Sequence, residues 1–270
     1  RAEVTVECNP DDVTDELLDA YVSAGVDRVS VGVQSMATHV LGALGRQHDQ
    51  RNVIAAVDAI RRAGLASFNL DVIYGAAGES IDDWRDTVEA IVALDPPHVS
   101  AYALTIEPGT PLASQPDRHP DDDDQADKYE LVDDLLTDAG LVNYEISNWA
   151  RPGHECRHNV LYWRQQDYRG FGCAAHSHHD GRRWWNVRTP ERYIDLVVAD
   201  ESTEAAGETL DDATRRFERL ELQLRMPEGV PIDALDGDEL PGLVERNDDR
   251  WVLTRRGRLM ANEIATRLET

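Results

Sequence analysis

Short apolar runs separated by stretches of helical periodicity fill the first hundred residues, and this alternation restricts the fold more than any other feature. Residues 4–8 form a strand candidate closed by Asn9-Pro10, and residues 12–24 follow with Val13, Leu17, Leu18 and Tyr21 at helical spacing. Further strand candidates lie at 28–33, 67–74 and 98–106. Between them are helical patterns at 38–44, at 52–63 with Val53, Val57 and Ile60 on one face, and at 81–94 with Trp84, Val88, Ile91 and Val92 inward. Strands alternating with helices of this length predict parallel β/α units.

The plan changes along the chain. After Pro108-Gly109-Thr110-Pro111, a proline- and aspartate-rich loop runs to Asp124. A helix then carries Tyr129, Val132, Leu136 and Ala139 and stops at Gly140. Residues 144–149 read as one more strand. Residues 150–187 are rich in Gly, His, Arg and Trp with little periodicity, which suits a binding segment better than a core. Helices are expected at about 190–199 and 210–226, the second with Ala213, Phe217, Leu220 and Leu224 on its apolar face. A short helical region at 232–243, a strand at 251–254 and a helix through Leu259, Met260, Ile264 and Leu268 resemble a winged-helix module. The expected division is therefore 1–149, an incomplete β/α barrel, and 150–270, a mainly helical, winged-helix-like domain.

Composition excludes several classes. The formal charge of −25 argues against nucleic acid, and the acidic tail module reads as a packing element. Lys128 is the only lysine, and Asp121–Asp124 adds to the acidity, which reads as a solubilising surface. No segment reaches the roughly 18 uninterrupted apolar residues of a membrane span. Three widely spaced cysteines make no disulfide framework, so a reducing cytoplasm is expected. A start at Arg1 that enters a strand within three residues is expected of a fragment whose full-length protein begins about 100 residues earlier.

Active sites of β/α barrels lie at the carboxyl ends of the strands. Glu7 closes the first strand here, Gln34 the second, Asp71 interrupts the third, and Arg46 sits in a Gly45-Arg46-Gln47 turn. Any one alone reads as a capped turn or surface charge. Four on successive units favour a shared ligand with vicinal hydroxyls, an amino group and a carboxylate.

The strings Val6-Glu7-Cys8-Asn9-Pro10, Gly32-Val33-Gln34-Ser35, Leu44-Gly45-Arg46 and Asn69-Leu70-Asp71-Val72-Ile73-Tyr74-Gly75 resemble, in order and spacing, the coproporphyrinogen oxidase/HemW branch of radical SAM proteins. The resemblance implies a partial radical SAM barrel in which Glu7, Gln34, Arg46 and Asp71 contact S-adenosylmethionine. It also implies a [4Fe–4S] cluster on a Cys-x-x-x-Cys-x-x-Cys segment that belongs before the first strand of this chain. Cys8, Cys156 and Cys173 lie too far apart to replace that segment, so this chain is not expected to hold the cluster.

Residues 158–163 read His158-Asn159-Val160-Leu161-Tyr162-Trp163, with the glycine-broken stretch Gly170-Phe171-Gly172-Cys173-Ala174-Ala175-His176 shortly after. An imidazole, an amide and two large aromatics offer what a planar, iron-bearing ligand needs. The string resembles the His-Asn-x-x-Tyr-Trp motif of the HemW branch. This implies a heme site with His158 as axial ligand to the iron and Asn159, Tyr162 and Trp163 around it. Tyr162 and Trp163 equally suit core packing. His154, Cys156 and His158 alternate and offer a zinc-type cluster to which His176, His178 and His179 could add ligands, although these equally read as exposed loop histidines; Cys156 is a candidate second contact for heme.

Two functions follow from the resemblance. One is a chaperone that takes up heme and hands it to recipient hemoproteins, which leaves open peripheral contact with membrane respiratory proteins and a homodimer. The other is an oxygen-independent coproporphyrinogen III oxidase of porphyrin biosynthesis, whose tetra-anionic substrate wants several basic residues in the barrel. Few are present beyond Arg46, so the chaperone is favoured over the enzyme. A barrel relative that has lost its chemistry is a third reading, against which Glu7, Gln34, Arg46 and Asp71 speak.

Overall fold

The structure is a computed structural model that describes residues 2–269. The chain divides between Glu155 and Cys156 into two compact units.

In the first unit, β1 (Thr5–Cys8), β2 (Arg28–Gln34), β3 (Ser67–Tyr74) and β4 (His98–Ala103) lie side by side, parallel and in sequence order. They are joined by α1 (Asp15–Ala24), α2 (Thr38–Ala43), α3 (Gln50–Arg62) and α4 (Ile81–Ala93). Local chemistry sets the helix starts. Asp49 with Asn52 and Ser80 with Asp83 form capping boxes, and the Thr14 hydroxyl accepts from the Leu17 amide. Gly25, at φ 96°, closes α1 in the left-handed conformation that costs glycine least.

Strand periodicity then separates two faces. Val29, Val31, Val33, Phe68, Leu70, Val72, Val99 and Ala101 are all buried, as are Val53, Val57 and Ile60 of α3 and Trp84, Val88 and Ile91 of α4. Burying each such aliphatic side chain contributes about 1.5–3 kcal/mol. The intervening residues, Arg28, Ser30 and Gly32 on β2, Asn69 and Asp71 on β3, and His98 and Ser100 on β4, occupy the other face. That face is polar.

After α5 (Asp122–Asp138) the chain departs from the single strand expected at 144–149. It forms two short strands, β5 (Val142–Glu145) and β6 (Asn148–Ala150), with β6 antiparallel to both β4 and β5. The Glu145 carboxylate makes the turn by accepting from the Ser147 amide and the Asn148 side-chain amide. Lys128 of α5 is fully buried. Its ammonium lies 2.6 Å from Asp124 and 3.2 Å from Glu79, and Glu79 in turn accepts from the Gly75 amide at 2.7 Å. Thus the single lysine pins the loop that leaves the carboxyl end of β3.

The second unit begins with α6 (Arg157–Trp163). A three-stranded antiparallel sheet follows, made of β7 (His176–His179), β8 (Arg182–Asn186) and β9 (Glu204–Thr209), with α7 (Pro190–Val198) between the last two strands. Strand β9 falls between the helices expected at about 190–199 and 210–226, in a stretch for which the sequence predicts no element. Next come α8 (Asp212–Leu224) and a second antiparallel sheet in the order β10 (Val230–Pro231), β12 (Arg250–Leu253), β11 (Val244–Asn247). Two short helices, α9 (Arg255–Leu259) and α10 (Ala261–Ala265), end the chain. Leu220 and Leu224 of α8 are buried, whereas Phe217 stays partly exposed. No helix among the described residues is long and apolar enough to cross a membrane.

Candidate functional site

On the polar face of the first unit, register aligns side chains in two rows. Glu7 pairs with Ser30, Ser30 with Asn69 and Asn69 with His98. One step toward the carboxyl ends, Gly32 pairs with Asp71, Asp71 with Ser100 and Ser100 with Asn148. Ser30 Oγ donates to Asp71 Oδ2 at 2.6 Å, and Asn69 Nδ2 donates to Asp71 Oδ1 and Ser30 Oγ, each at 2.7 Å. Asn69 Oδ1 therefore faces the Nδ1 of His98 at 2.6 Å, and His98 Nε2 meets the Tyr144 hydroxyl at 2.7 Å. These directions assign the His98 proton to Nδ1 and make Tyr144 the donor to Nε2.

The electrostatics follow from burial. Desolvation holds His98 well below its ordinary pKa, helped by the cationic Arg28 and by His154, so the ring is neutral at pH 7. Burial also raises the pKa of Asp71, opposed by hydrogen bonds from Ser30, Asn69 and Ser100 and by the Arg28 charge. Arg28 is buried at the foot of this face and donates to Ser67 Oγ at 3.0 Å and the His154 carbonyl at 3.1 Å.

Three of the four expected residues share this face. Asp71 is its hydrogen-bonded centre. Gln34 follows a register shift in β2 and has φ 65°, a left-handed conformation that costs a non-glycine residue about 1–3 kcal/mol. Its amide folds back over Gly32, where an added Cβ would stand 2.8 Å from Gln34 Nε2. Glu7 occupies the first row on β1 and is exposed. Arg46 lies apart from the network, exposed in the turn after α2, with its backbone amide on Leu41 O.

Sequence reasoning missed Ser30, Asn69 and His98. The signal was present: polar residues at every second position of strands that run between helices, where buried parallel strands are ordinarily apolar on both sides. A ligand presenting hydroxyls and an amino group to carboxylate and amide fits this face. The cysteines do not fit a cluster. Cys8 pairs with Val31 on the helix-covered side, with its thiol pKa raised by burial and by Asp12, while Cys156 is buried and Cys173 exposed.

In the second unit, His158 and Tyr162 lie one helical turn apart on α6, with ring centroids 4.6 Å apart and nearly perpendicular. Tyr162 meets Tyr168 at 4.5 Å, and Tyr168 meets His178 at 6.1 Å. His158 is exposed, and Tyr162 is 38% exposed. Asn159 and Trp163, partly buried, form the neighbouring stripe of the same helix. The zinc-type cluster does not form. Residues 157–163 are helical, which breaks the alternation of Cys156 with His158, and His154 Nδ1 lies 3.3 Å from Ser67 Oγ. No group of three or more His, Cys, Asp or Glu side chains could hold a metal ion among the described residues.

The family model for the Radical SAM superfamily matches residues 1–91. The curated heme chaperone HemW of Mycobacterium tuberculosis H37Rv is 40% identical over 99% of this chain and 72% of its own length. The chain belongs to the HemW family. HemW of Escherichia coli K12 is 36% identical over 97% of this chain and 74% of its own length. Coproporphyrinogen III oxidase (HemN) of Escherichia coli, described as a radical SAM enzyme, superposes with a TM-score of 0.81 over 98% of this chain and 69% of that one. At 21% identity this likeness speaks for the fold. Within this HemW-family chain, Glu7, Gln34, Arg46 and Asp71 all fall in the segment matched by the superfamily, and the His158–Trp163 string lies beyond it.

Proposed function

We propose that this chain is a heme chaperone that carries heme on its second unit and passes it to recipient hemoproteins in the cytoplasm. The observation that carries the reading is the exposed His158 imidazole, backed by the edge-to-face rings of Tyr162 and Tyr168. His158 supplies a nitrogen to the heme iron, and Tyr162, Trp163 and Asn159 flank the macrocycle. Exposure matters for delivery, because a docking hemoprotein must lower the affinity it competes with, and an open site lets it reach the ligand.

The polar face of the first unit holds S-adenosylmethionine in this reading, which supplies a sulfonium with vicinal hydroxyls, an amino group and a carboxylate. Asp71 keeps a lone pair beyond those used by Ser30, Asn69 and Ser100 to accept a hydroxyl, Gln34 both donates and accepts, Glu7 takes the ammonium, and Arg46 reaches the carboxylate from the turn after α2, outside the face. The oxidase reading is weaker on charge. The cation of this face, Arg28, is buried and occupied by Ser67 and His154 O, leaving little to meet a tetra-anionic porphyrinogen.

The test is a heme titration of the full-length protein, followed by its absorption spectrum. His158→Ala is expected to weaken heme binding by about tenfold or more. Equal affinity in the two proteins overturns the assignment. Turnover of coproporphyrinogen III with S-adenosylmethionine establishes the oxidase instead.

A further inference from the structure

The sheet formed by β7, β8 and β9 has a second face that the histidine string does not use. His176, His178, Arg183 and Trp185 share one side, where His176 meets Trp185 and His178 meets Tyr168. Arg182, Trp184 and Asn186 point to the opposite side. There Arg182 lies 5.0 Å and Arg169 5.9 Å from the Trp184 ring centroid. Together with Phe171, Tyr193 and residues 201–204 they bound a groove of about 460 Å³. That lies within the roughly 300–1,000 Å³ of small-molecule sites.

Hydrogen bonding separates wall from contact surface. Asn186 donates to Gly172 O at 2.8 Å and accepts from Thr203 Oγ1 at 3.0 Å, while the Tyr193 hydroxyl accepts from the Gly172 amide at 3.0 Å. Arg182 is spent on Glu204 at 2.6 Å. Arg169 pairs with no carboxylate among the described residues; its neighbour is the Trp184 face. Phe171 is 80% exposed. Arg169 and Phe171 line the same groove, so a phenyl ring and a guanidinium without a carboxylate partner face one ligand space. Two flat apolar surfaces and one free cation suit a planar aromatic ring that bears a carboxylate.

We propose that this groove is a second, iron-independent rest for a porphyrin, with one edge of the macrocycle on Phe171 and Trp184 and a propionate on Arg169. The proposal rests on the heme-chaperone reading, which makes porphyrin the relevant aromatic acid. One sheet separates this groove from the rings that back His158, so the two places grip differently. His158 needs the iron; the groove needs the ring and its acid. A chaperone that must release an axial bond before delivery gains a hold that survives that release.

Metal-free protoporphyrin IX is the probe, because His158 has no iron to ligate in it. Its fluorescence is titrated with the full-length protein. Arg169 and Phe171 are exposed, so their variants keep the fold. Arg169→Gln and Phe171→Ala are each expected to weaken binding about tenfold, and the dimethyl ester of the porphyrin binds the wild type about as weakly as the free acid binds Arg169→Gln. Glu201→Gln, which removes a carboxylate from the groove, tightens binding several-fold, about what one exposed charge confers. His158→Ala leaves protoporphyrin IX affinity unchanged. Undiminished binding in both Arg169→Gln and Phe171→Ala overturns the groove, whatever His158→Ala does to heme. Loss of protoporphyrin IX binding in His158→Ala overturns its independence.

Discussion

The polar sheet face of the first unit and the aromatic segment of the second solve recognition in opposite ways. Asn69, His98 and Ser100 are buried, and each side-chain hydrogen bond fixes the direction of the next. His158 and Tyr162 are exposed and held by ring contacts and by one short helix. A buried, directed network orients a small ligand of fixed polarity before it arrives. An exposed imidazole pays little to bind and little to let go, which suits cargo. The contrast between preorganisation and access is what single substitutions can break.

The largest effect is expected at Asn69, the junction of the network. Asn69→Ala strands the His98 Nδ1 proton and removes a donor from both Ser30 and Asp71. The loss is about 3 kcal/mol, because partners left unsatisfied in a buried site cost more than the bonds themselves. Urea unfolding of the full-length protein measures it; a change below 0.5 kcal/mol would show that water replaces the amide and that the face is not rigid. His98 adds a pH signature. Its folded pKa is depressed below 6.5, so it contributes stability above that value and loses it as pH falls from 6.5 through the folded pKa. Stability is expected to drop on mild acidification, and His98→Gln to flatten that part of the curve. An unchanged slope in the variant would move the titration elsewhere.

The same contrast explains what could be read from the chain. Strong periodicity made the helices and strands of residues 5–103 legible, because Val53, Val57 and Ile60 of α3, Trp84, Val88 and Ile91 of α4 and the valines of β2 repeat at local spacings. The hairpin of β5 and β6 was not, because its turn depends on the Glu145 carboxylate folding back on Ser147 and Asn148 inside an apolar-looking run. Strand β9 was hidden for a different reason. Its Glu-Ala-Ala-Gly-Glu-Thr sequence is exposed throughout and has little strand preference, so pairing with β8 alone makes it a strand. In the site, Gln34 stood out as a polar residue closing its strand and Asp71 as one interrupting its strand. Asn69 and His98 did not: alternation of polar residues along β3 and β4 marks a polar face, but the hydrogen bond that joins the two crosses between strands.

Gly32 sharpens the comparison without unfolding anything. A Cβ there meets the end of the Gln34 side chain at 2.8 Å, and a flexible amide can swing away. Gly32→Ala is therefore expected to leave the unfolding midpoint nearly unchanged while lowering affinity for S-adenosylhomocysteine about tenfold, close to 1.4 kcal/mol. Calorimetric titration of the full-length protein separates the two. Wild-type affinity in the variant would remove Gln34 from the ligand's contacts and leave Asp71 to carry the face alone.

The smallest effect is expected at Tyr162, and its smallness is the point. The ring is partly exposed and touches His158 and Tyr168 at their edges, with its hydroxyl pKa raised by burial and so protonated at neutral pH. Tyr162→Ala removes one wall of the stack, so stability should change by about 0.5 kcal/mol or less, as for other surface sites. Heme affinity should fall about threefold to tenfold, because an aromatic pair contributes about 0.5–1.5 kcal/mol beyond area. Tyr162→Phe keeps the wall and should behave as wild type. If Tyr162→Ala instead unfolds the second unit, the aromatic string is a core like the buried face of the first, and the distinction between rigid grip and open cargo site collapses.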